Sequence, residues 1–238
     1  MIHQGTLPFI DFTEAVIGFA QGGSEERGAV FTRREVVEFI LDLVGYTVSK
    51  PLHHFRILEP SFGHGDFLLP ATERLLRAYK AFSQDSSSIV EDLSNAVRAV
   101  EVNKDSINEA HIKLLELLLS HGLSEGEATP LLNSWIIEGD FLLAELPHTF
   151  THAVGNPPYV RQELIPEVLM NEYRVRYSTI YDRADLYVPF IERCLTSLEP
   201  GGILGFICAD RWMKNKYGGP LRAMVAKEYR LMSYIDMV

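Results

Sequence analysis

The sequence predicts a doubly wound α/β fold built on a mostly parallel sheet. Three observations carry that expectation. From about Arg56 onward, short apolar runs alternate with segments whose apolar residues recur at helical spacing, as Ile107, Leu114, Leu115 and Leu118 do. The run ILGFICA at 203–209 is apolar almost without interruption, as expected of a strand covered on both faces. The first such run closes on a Gly-x-Gly turn leading into a helix, which is the start of a βα unit with a ligand crevice at the strand's carboxyl end.

Taken in order, the chain first offers a helix over 33–44, with Thr32 as N-cap and Glu35 completing a capping box. Strands are expected at 55–59, 96–102, 135–138, 151–155, 203–209 and 231–237. Between them, helices are expected at 68–82, 105–121, in a long segment ending at 185–198, and at 219–229. The run SQDSSS at 83–88 reads as a surface linker. No internal repeat or extended low-complexity region interrupts this pattern.

Composition narrows the classes of function. With 47% hydrophobic residues in 238, the chain is too apolar to be disordered and long enough to bury a core. Its longest apolar runs, at 203–209 and 114–119, fall far short of the ~20 residues of a membrane helix. The start MIHQGTLPFIDFTEA lacks the basic-then-apolar order of a signal peptide. Cys194 and Cys208 read as small core residues of a reduced protein, so a cytoplasmic location is expected. A formal charge of −10 argues against a protein that coats nucleic acid. Contact with nucleic acid would have to be local, or rely on positive surface supplied elsewhere.

Four short motifs carry the chemistry. In ILEPSFGHGDFLLP, Gly63 and Gly65 let the backbone turn tightly beside a ligand. Glu59 would repel a pyrophosphate there but suits a cationic or hydroxyl-bearing ligand. Glu101, ending the second strand in AVEVNKD, can accept hydrogens from ribose hydroxyls. Asp140 and Phe141, in IIEGDFLL, pair an acceptor for an amine with an aromatic face for a purine. Each of these three also reads as an ordinary turn or strand end. In GNPPY, Pro157 pushes Asn156 out of the helical region, and two successive prolines remove two N–H donors. The turn therefore presents acceptors, the Asn156 side-chain oxygen and the Pro157 carbonyl, beside the ring of Tyr159. Such a corner suits a planar group bearing NH₂.

In this order the motifs resemble the γ class of S-adenosylmethionine-dependent DNA adenine-N6 methyltransferases of type II and IIG restriction–modification systems. The resemblance runs from GAVFTRREVVEFIL through the four motifs to DLYVPFIERCL and GGILGFICADRWMKNKYGGPLR, nearly the whole chain. It implies a Rossmann-like class I methyltransferase fold, S-adenosylmethionine as cofactor and no metal. It also implies an N-terminal helical cofactor segment at 1–54 and a catalytic domain at 55–238, stopping short of a last strand and of any target-recognition domain. By resemblance, Thr32 binds the cofactor's methionine carboxylate, and Glu59, Pro60, Gly63 and Gly65 line the methionine pocket. Glu101 holds the ribose, Asp140 the adenine amine and Phe141 its ring. Asn156, Pro157, Pro158 and Tyr159 hold the target base, with Asn156, Pro157 and Tyr159 catalytic.

Arg33 stands where the family commonly has proline, and His64 and Asp66 occupy variable loop positions. His64 is read as a loop-shaping or solvated side chain, with no companion carboxylate. The implied partner is double-stranded DNA, reached through a recognition domain or subunit not contained in this sequence. Methylation of a glutamine amide or an RNA adenine stays open, as does a non-catalytic cofactor-binding subunit, because a planar NH₂ group looks alike to such a corner.

Overall fold

The computed structural model describes residues 15, 16, 18, 31–83, 89–147 and 149–236. The expected linker positions 84–88, and 28–30 at the start of the first cofactor motif, lie outside the described residues.

Five strands form one sheet: β1 (Ile57–Glu59), β2 (Val97–Glu101), β3 (Ile136–Glu138), β4 (Phe150–Gly155) and β5 (Leu198–Phe206), in the order β3-β2-β1-β4-β5. Every pairing among them is parallel. The pleat sends alternate residues to opposite faces. Ile57, Val97, Ala99 and Val154 accordingly join one core cluster, while Leu58, Val100 and Ala153 join another. Helices cover both faces. On the first lie α1 (Arg34–Leu43), α2 (Leu68–Phe82), α3 (Ile89–Leu93), α4 (Lys104–Ser120) and α5 (Glu125–Trp135), and on the second α6 (Glu167–Arg176) and α7 (Tyr187–Thr196). The two short helices α8 (Arg211–Lys214) and α9 (Gly219–Glu228) follow β5. The α/β expectation is met. Among the described residues no helix is long and apolar enough to cross a membrane.

Local chemistry explains the elements that position the site. Helix α4 buries Ala110, Leu114 and Leu118 four residues apart, and its first turn is closed by the Asn103 side chain accepting from Ser106 N at 2.9 Å. Helix α5 is sealed at its start by a reciprocal Ser124–Glu127 capping box and at its end by Trp135, fully buried, whose indole N–H donates to the Leu93 carbonyl at 2.8 Å.

Three expectations are corrected. Thr32 does not cap α1: the N-cap is Arg33, with no side-chain cap bond, because the Thr32 hydroxyl is engaged elsewhere. Trp135 belongs to α5 rather than to the third strand. The expected strand at 231–237 does not form: 231–236 has no ladder, and Leu231, Met232, Tyr234 and Ile235 are exposed, while Met237 lies outside the described residues. Apolar alternation makes a segment ready to pair, but a strand persists only where a neighbour completes its ladder and covers its side chains. The fifth strand also begins earlier than its apolar run, at Leu198. Residues 198–202 continue the pairing through a register shift against Phe150 and His152, and a Cβ on Gly202 would stand 3.0 Å from the Phe150 carbonyl oxygen.

Candidate active site

The order of the sheet reverses between β1 and β4, so the loops leaving these strands diverge and open a crevice. Glu59 ends β1, Glu101 ends β2, Asp140 lies two residues beyond β3, and Asn156 directly follows β4. All four line one cavity of about 250 Å³, together with Thr32, Pro60, Gly63, Phe141 and Pro158. Gly65, Pro157 and Tyr159 are not among its lining residues.

The glycine loop is held by carboxylates. Gly63 and Gly65 take φ of +51° and +90°, a region other residues enter at a cost. Gly63 N donates to Glu101 Oε2 at 2.9 Å, and Glu101 Oε1 accepts from the N–H groups of Val102 and Asn103, each at 2.9 Å. Three of the roughly four acceptor positions of this carboxylate are therefore taken by backbone. One remains for a ligand hydroxyl, rather than the two positions a paired ribose grip needs. A second hydroxyl would have to displace a backbone N–H.

Glu59 is 4% exposed; it accepts a backbone bond from Phe67, and its Oε2 has no hydrogen-bond partner among the described residues. Burial, reinforced by the charges of Asp66 and Glu101, drives its carboxyl well above the usual range. Burial likewise raises Asp66 and Asp140. Asp140 Oδ1 accepts from Leu142 N at 2.8 Å, and the Tyr173 hydroxyl donates to Oδ2. Phe141 is buried against Phe190, at 5.0 Å between centroids, with the Arg193 guanidinium 4.8 Å from its own ring centre.

Among the described residues, no Lys or Arg lines the cavity. A buried site lined by these acids repels phosphate and favours a cationic ligand. The sign of the pH response follows. Protonation of raised carboxyls removes that preference, so affinity for a cationic ligand falls as pH drops from neutral into the carboxylate range, and binding releases protons. In the ligand-free protein, their contribution to stability is present below the ordinary carboxylate pKa and is lost as pH rises through the raised values. Calorimetric titration in buffers of different ionisation enthalpy is expected to show proton release on ligand binding. Binding that is independent of pH, with no proton release, would contradict the electrostatic account.

Two contacts join the N-terminal segment to this site. Thr32 N donates to Asp66 Oδ2 at 2.7 Å, and Thr32 Oγ1 accepts from Asn156 Nδ2 at 3.1 Å. Tyr159 points the other way: its hydroxyl donates to the Ile207 carbonyl at 3.3 Å and its ring lies 5.9 Å from that of Tyr187. His64 does have a carboxylate companion, Glu109 Oε2 at 2.8 Å, but both side chains are exposed, which fits a loop-shaping role. The Asp66–Thr32 bond, the Tyr173 hydroxyl on Asp140, and Phe31 on the cavity wall escape sequence reasoning. Only Asp66, beside the glycines, offered any local signal.

The model of the Eco57I restriction-modification methylases matches residues 72–238, a span that holds Glu101, Asp140 and the Asn-Pro-Pro-Tyr turn. The chain belongs to this family. It is 57% identical over 237 residues to the type II methyltransferase M.PaeR7I of Pseudomonas aeruginosa, covering 100% of this chain and 41% of that protein. It is also 57% identical over 214 residues to the type II methyltransferase M.XhoI of Xanthomonas vasicola, covering 90% of this chain and 39% of that protein. The chain thus spans about two fifths of the length of these relatives. The same fold occurs in a Listeria monocytogenes protein assigned to the class I S-adenosylmethionine-dependent methyltransferases, with a TM-score of 0.58 and 16% identity, covering 90% of this chain and 57% of that one.

The site fits S-adenosylmethionine, the cofactor that the sequence resemblance implies. The buried, unpartnered oxygen of Glu59 suits a ligand carrying an ammonium and a sulfonium. Glu101 retains an acceptor for a hydroxyl, and Asp140 with Phe141 stands where an amine-bearing ring can be met.

Proposed function

We propose that this chain is the catalytic part of a type II restriction–modification DNA methyltransferase that methylates adenine N6 in an extruded base. The observation that carries the reading is the Thr32–Asn156 hydrogen bond, which seats an acceptor-rich turn directly against a pocket suited to a sulfonium compound. S-adenosylmethionine supplies an already activated methyl group, so the chain's task is to prepare the nucleophile. Adenine N6 donates its lone pair into the ring. Accepting its hydrogens on Asn156 and the Pro157 carbonyl makes that pair available and stabilises positive charge growing on the nitrogen. Holding the amine in line with the methyl supplies much of the remaining acceleration.

A stacked adenine cannot reach the pocket, so the base leaves the helix at a cost of a few kcal/mol. Tyr159 offers a ring to the extruded base, and stacking there would return ~1–3 kcal/mol. Its hydroxyl is anchored on the Ile207 carbonyl, and Tyr159 is not among the residues lining the cofactor cavity.

Two further features favour DNA over a glutamine amide or RNA. The relatives at 57% identity are named as type II methyltransferases. In addition, the chain's charge is unevenly placed: from Ile207 onward there are six Arg or Lys against three Asp or Glu, whereas the preceding residues are strongly acidic. This basic stretch packs behind Tyr159, where Trp212 and Tyr217 join the same cluster. Phosphate contact is thereby local. In this reading 1–54 contributes the cofactor segment, 55–238 the catalytic domain, and sequence-specific recognition lies in a region or subunit outside these residues.

The decisive assay incubates the full-length protein with tritiated cofactor and, separately, plasmid DNA, RNA and protein. Label recovered as N6-methyladenine from the DNA is expected. Label in RNA or protein alone, or none anywhere, overturns the reading.

A further inference from the structure

We infer that the Thr32 hydroxyl is a positioning group for methyl transfer: it holds the Asn156 amide by its nitrogen, so that the amide's oxygen end is the one that meets the substrate amine. The inference rests on the reading of the site as an amino-methyltransferase and adds to it a residue that acts through Asn156.

The need arises from the side chain itself. An asparagine amide has an acceptor end and a donor end of nearly equal size on a soft terminal torsion. The right way round, it accepts from the amine; reversed, it sets N–H against N–H and blocks the approach. Local sequence cannot choose between these orientations, because a Pro-Pro turn offers the side chain no neighbouring N–H. A residue 124 positions earlier, Thr32, favours one of them: its Oγ1 accepts from Asn156 Nδ2 at 3.1 Å.

Thr32 is itself held firmly. It is 5% exposed, its backbone N–H is bound to Asp66 at 2.7 Å, and α1 begins two residues later. The glycine loop, the N-terminal segment and the catalytic turn are thus joined through one residue.

A hydroxyl has one hydrogen and two lone pairs. To accept from Asn156, Thr32 must direct its own hydrogen elsewhere. The methionine carboxylate of the cofactor, which the resemblance assigns to this threonine, would take that hydrogen and lock the hydroxyl as an acceptor.

Thr32→Val removes the oxygen and keeps the branched shape; Thr32→Ser restores the oxygen. In the full-length protein at saturating cofactor, Thr32→Val is expected to lower kcat about 10- to 100-fold, the scale of a small loss of alignment. Thr32→Ser should recover most of it. A readout independent of turnover uses duplexes carrying adenine, or purine lacking the 6-amino group, at the target position. With the unreactive analogue sinefungin bound, wild type and Thr32→Ser should prefer adenine, and Thr32→Val should lose that preference. Thr32→Ala, which cannot crowd the site, should behave as Thr32→Val if the latter fails to fold. Unchanged kcat and unchanged preference in the Val or Ala variant, or a defect confined to cofactor affinity, overturns the inference. A wild-type protein that methylates no adenine overturns the functional reading instead.

Discussion

Asn156→Ala is expected to lower methyl transfer by about 10²–10³-fold or more, the scale seen when one preorganised electrostatic group is removed from a reacting centre. The side chain is on the proposed reaction path, at the end of β4, and lines the same cavity as Glu59 and Glu101. Without it, one of two acceptors for the N6 hydrogens is lost and the amine keeps its lone pair in the ring. Cofactor affinity should change little, because the acids that favour a cationic ligand sit on other strands. Equilibrium titration of the cofactor and a single-turnover methylation assay separate the two effects. Turnover by Asn156→Ala at the wild-type rate would remove Asn156 from the mechanism. A large loss of cofactor affinity would instead make it a pocket residue.

Glu101 should show the second largest effect, and of the opposite kind. Its carboxylate accepts from three backbone N–H groups and keeps one position open. Glu101→Ala leaves those donors without partners, at about 1–3 kcal/mol for each that stays buried and unsatisfied. The glycine loop is then expected to lose its shape and the protein to melt at lower temperature. Glu101→Gln is the sharper test because it keeps the side chain's size while removing the charge and half its acceptors. A hydrogen bond to a charged group contributes about 1.5–3 kcal/mol, so cofactor affinity should fall about 10- to 100-fold with the fold retained. Calorimetric binding with a parallel melting curve measures both. Undiminished affinity in Glu101→Gln would show that this acid serves the loop alone.

Much of this site was legible from residues close together in the chain. Glycines at 63 and 65 announce a backbone that must take positive φ, and both do. The acids at 59, 101 and 140 and the asparagine at 156 follow apolar runs, and a parallel sheet brings all such strand ends to one edge. Helix α5 was missed although its Ser124-x-x-Glu127 capping signal is present, because the apolar stripe behind it is weak and Pro130 interrupts the pattern. The early start of β5 was hidden by Pro200, Gly201 and Gly202, which read as a turn but continue the pairing.

Other features had no local signature at all. Thr32 and Glu35 carry the spacing of a capping box, yet the Thr32 oxygen serves Asn156 instead, since a rigid partner across the crevice outcompetes a terminal N–H that water can satisfy. Tyr173 reaches Asp140 from α6, on a helix that no motif singles out. Tyr159 turns away from the cofactor cavity because Ile207 and Tyr187 hold it there.

What the sequence determined by itself was the alternation of strands and helices, the strand-end acids and the stiff donor-free turn, because periodicity and backbone dihedral limits act over a few residues. What only the tertiary structure decided was the raised carboxyls of Glu59, Asp66 and Asp140, the backbone claims on Glu101, the orientation of Asn156 and the failure of 231–236 to pair. Each of these depends on water excluded, or on a partner supplied, by residues far away in the chain, and no local pattern encodes either.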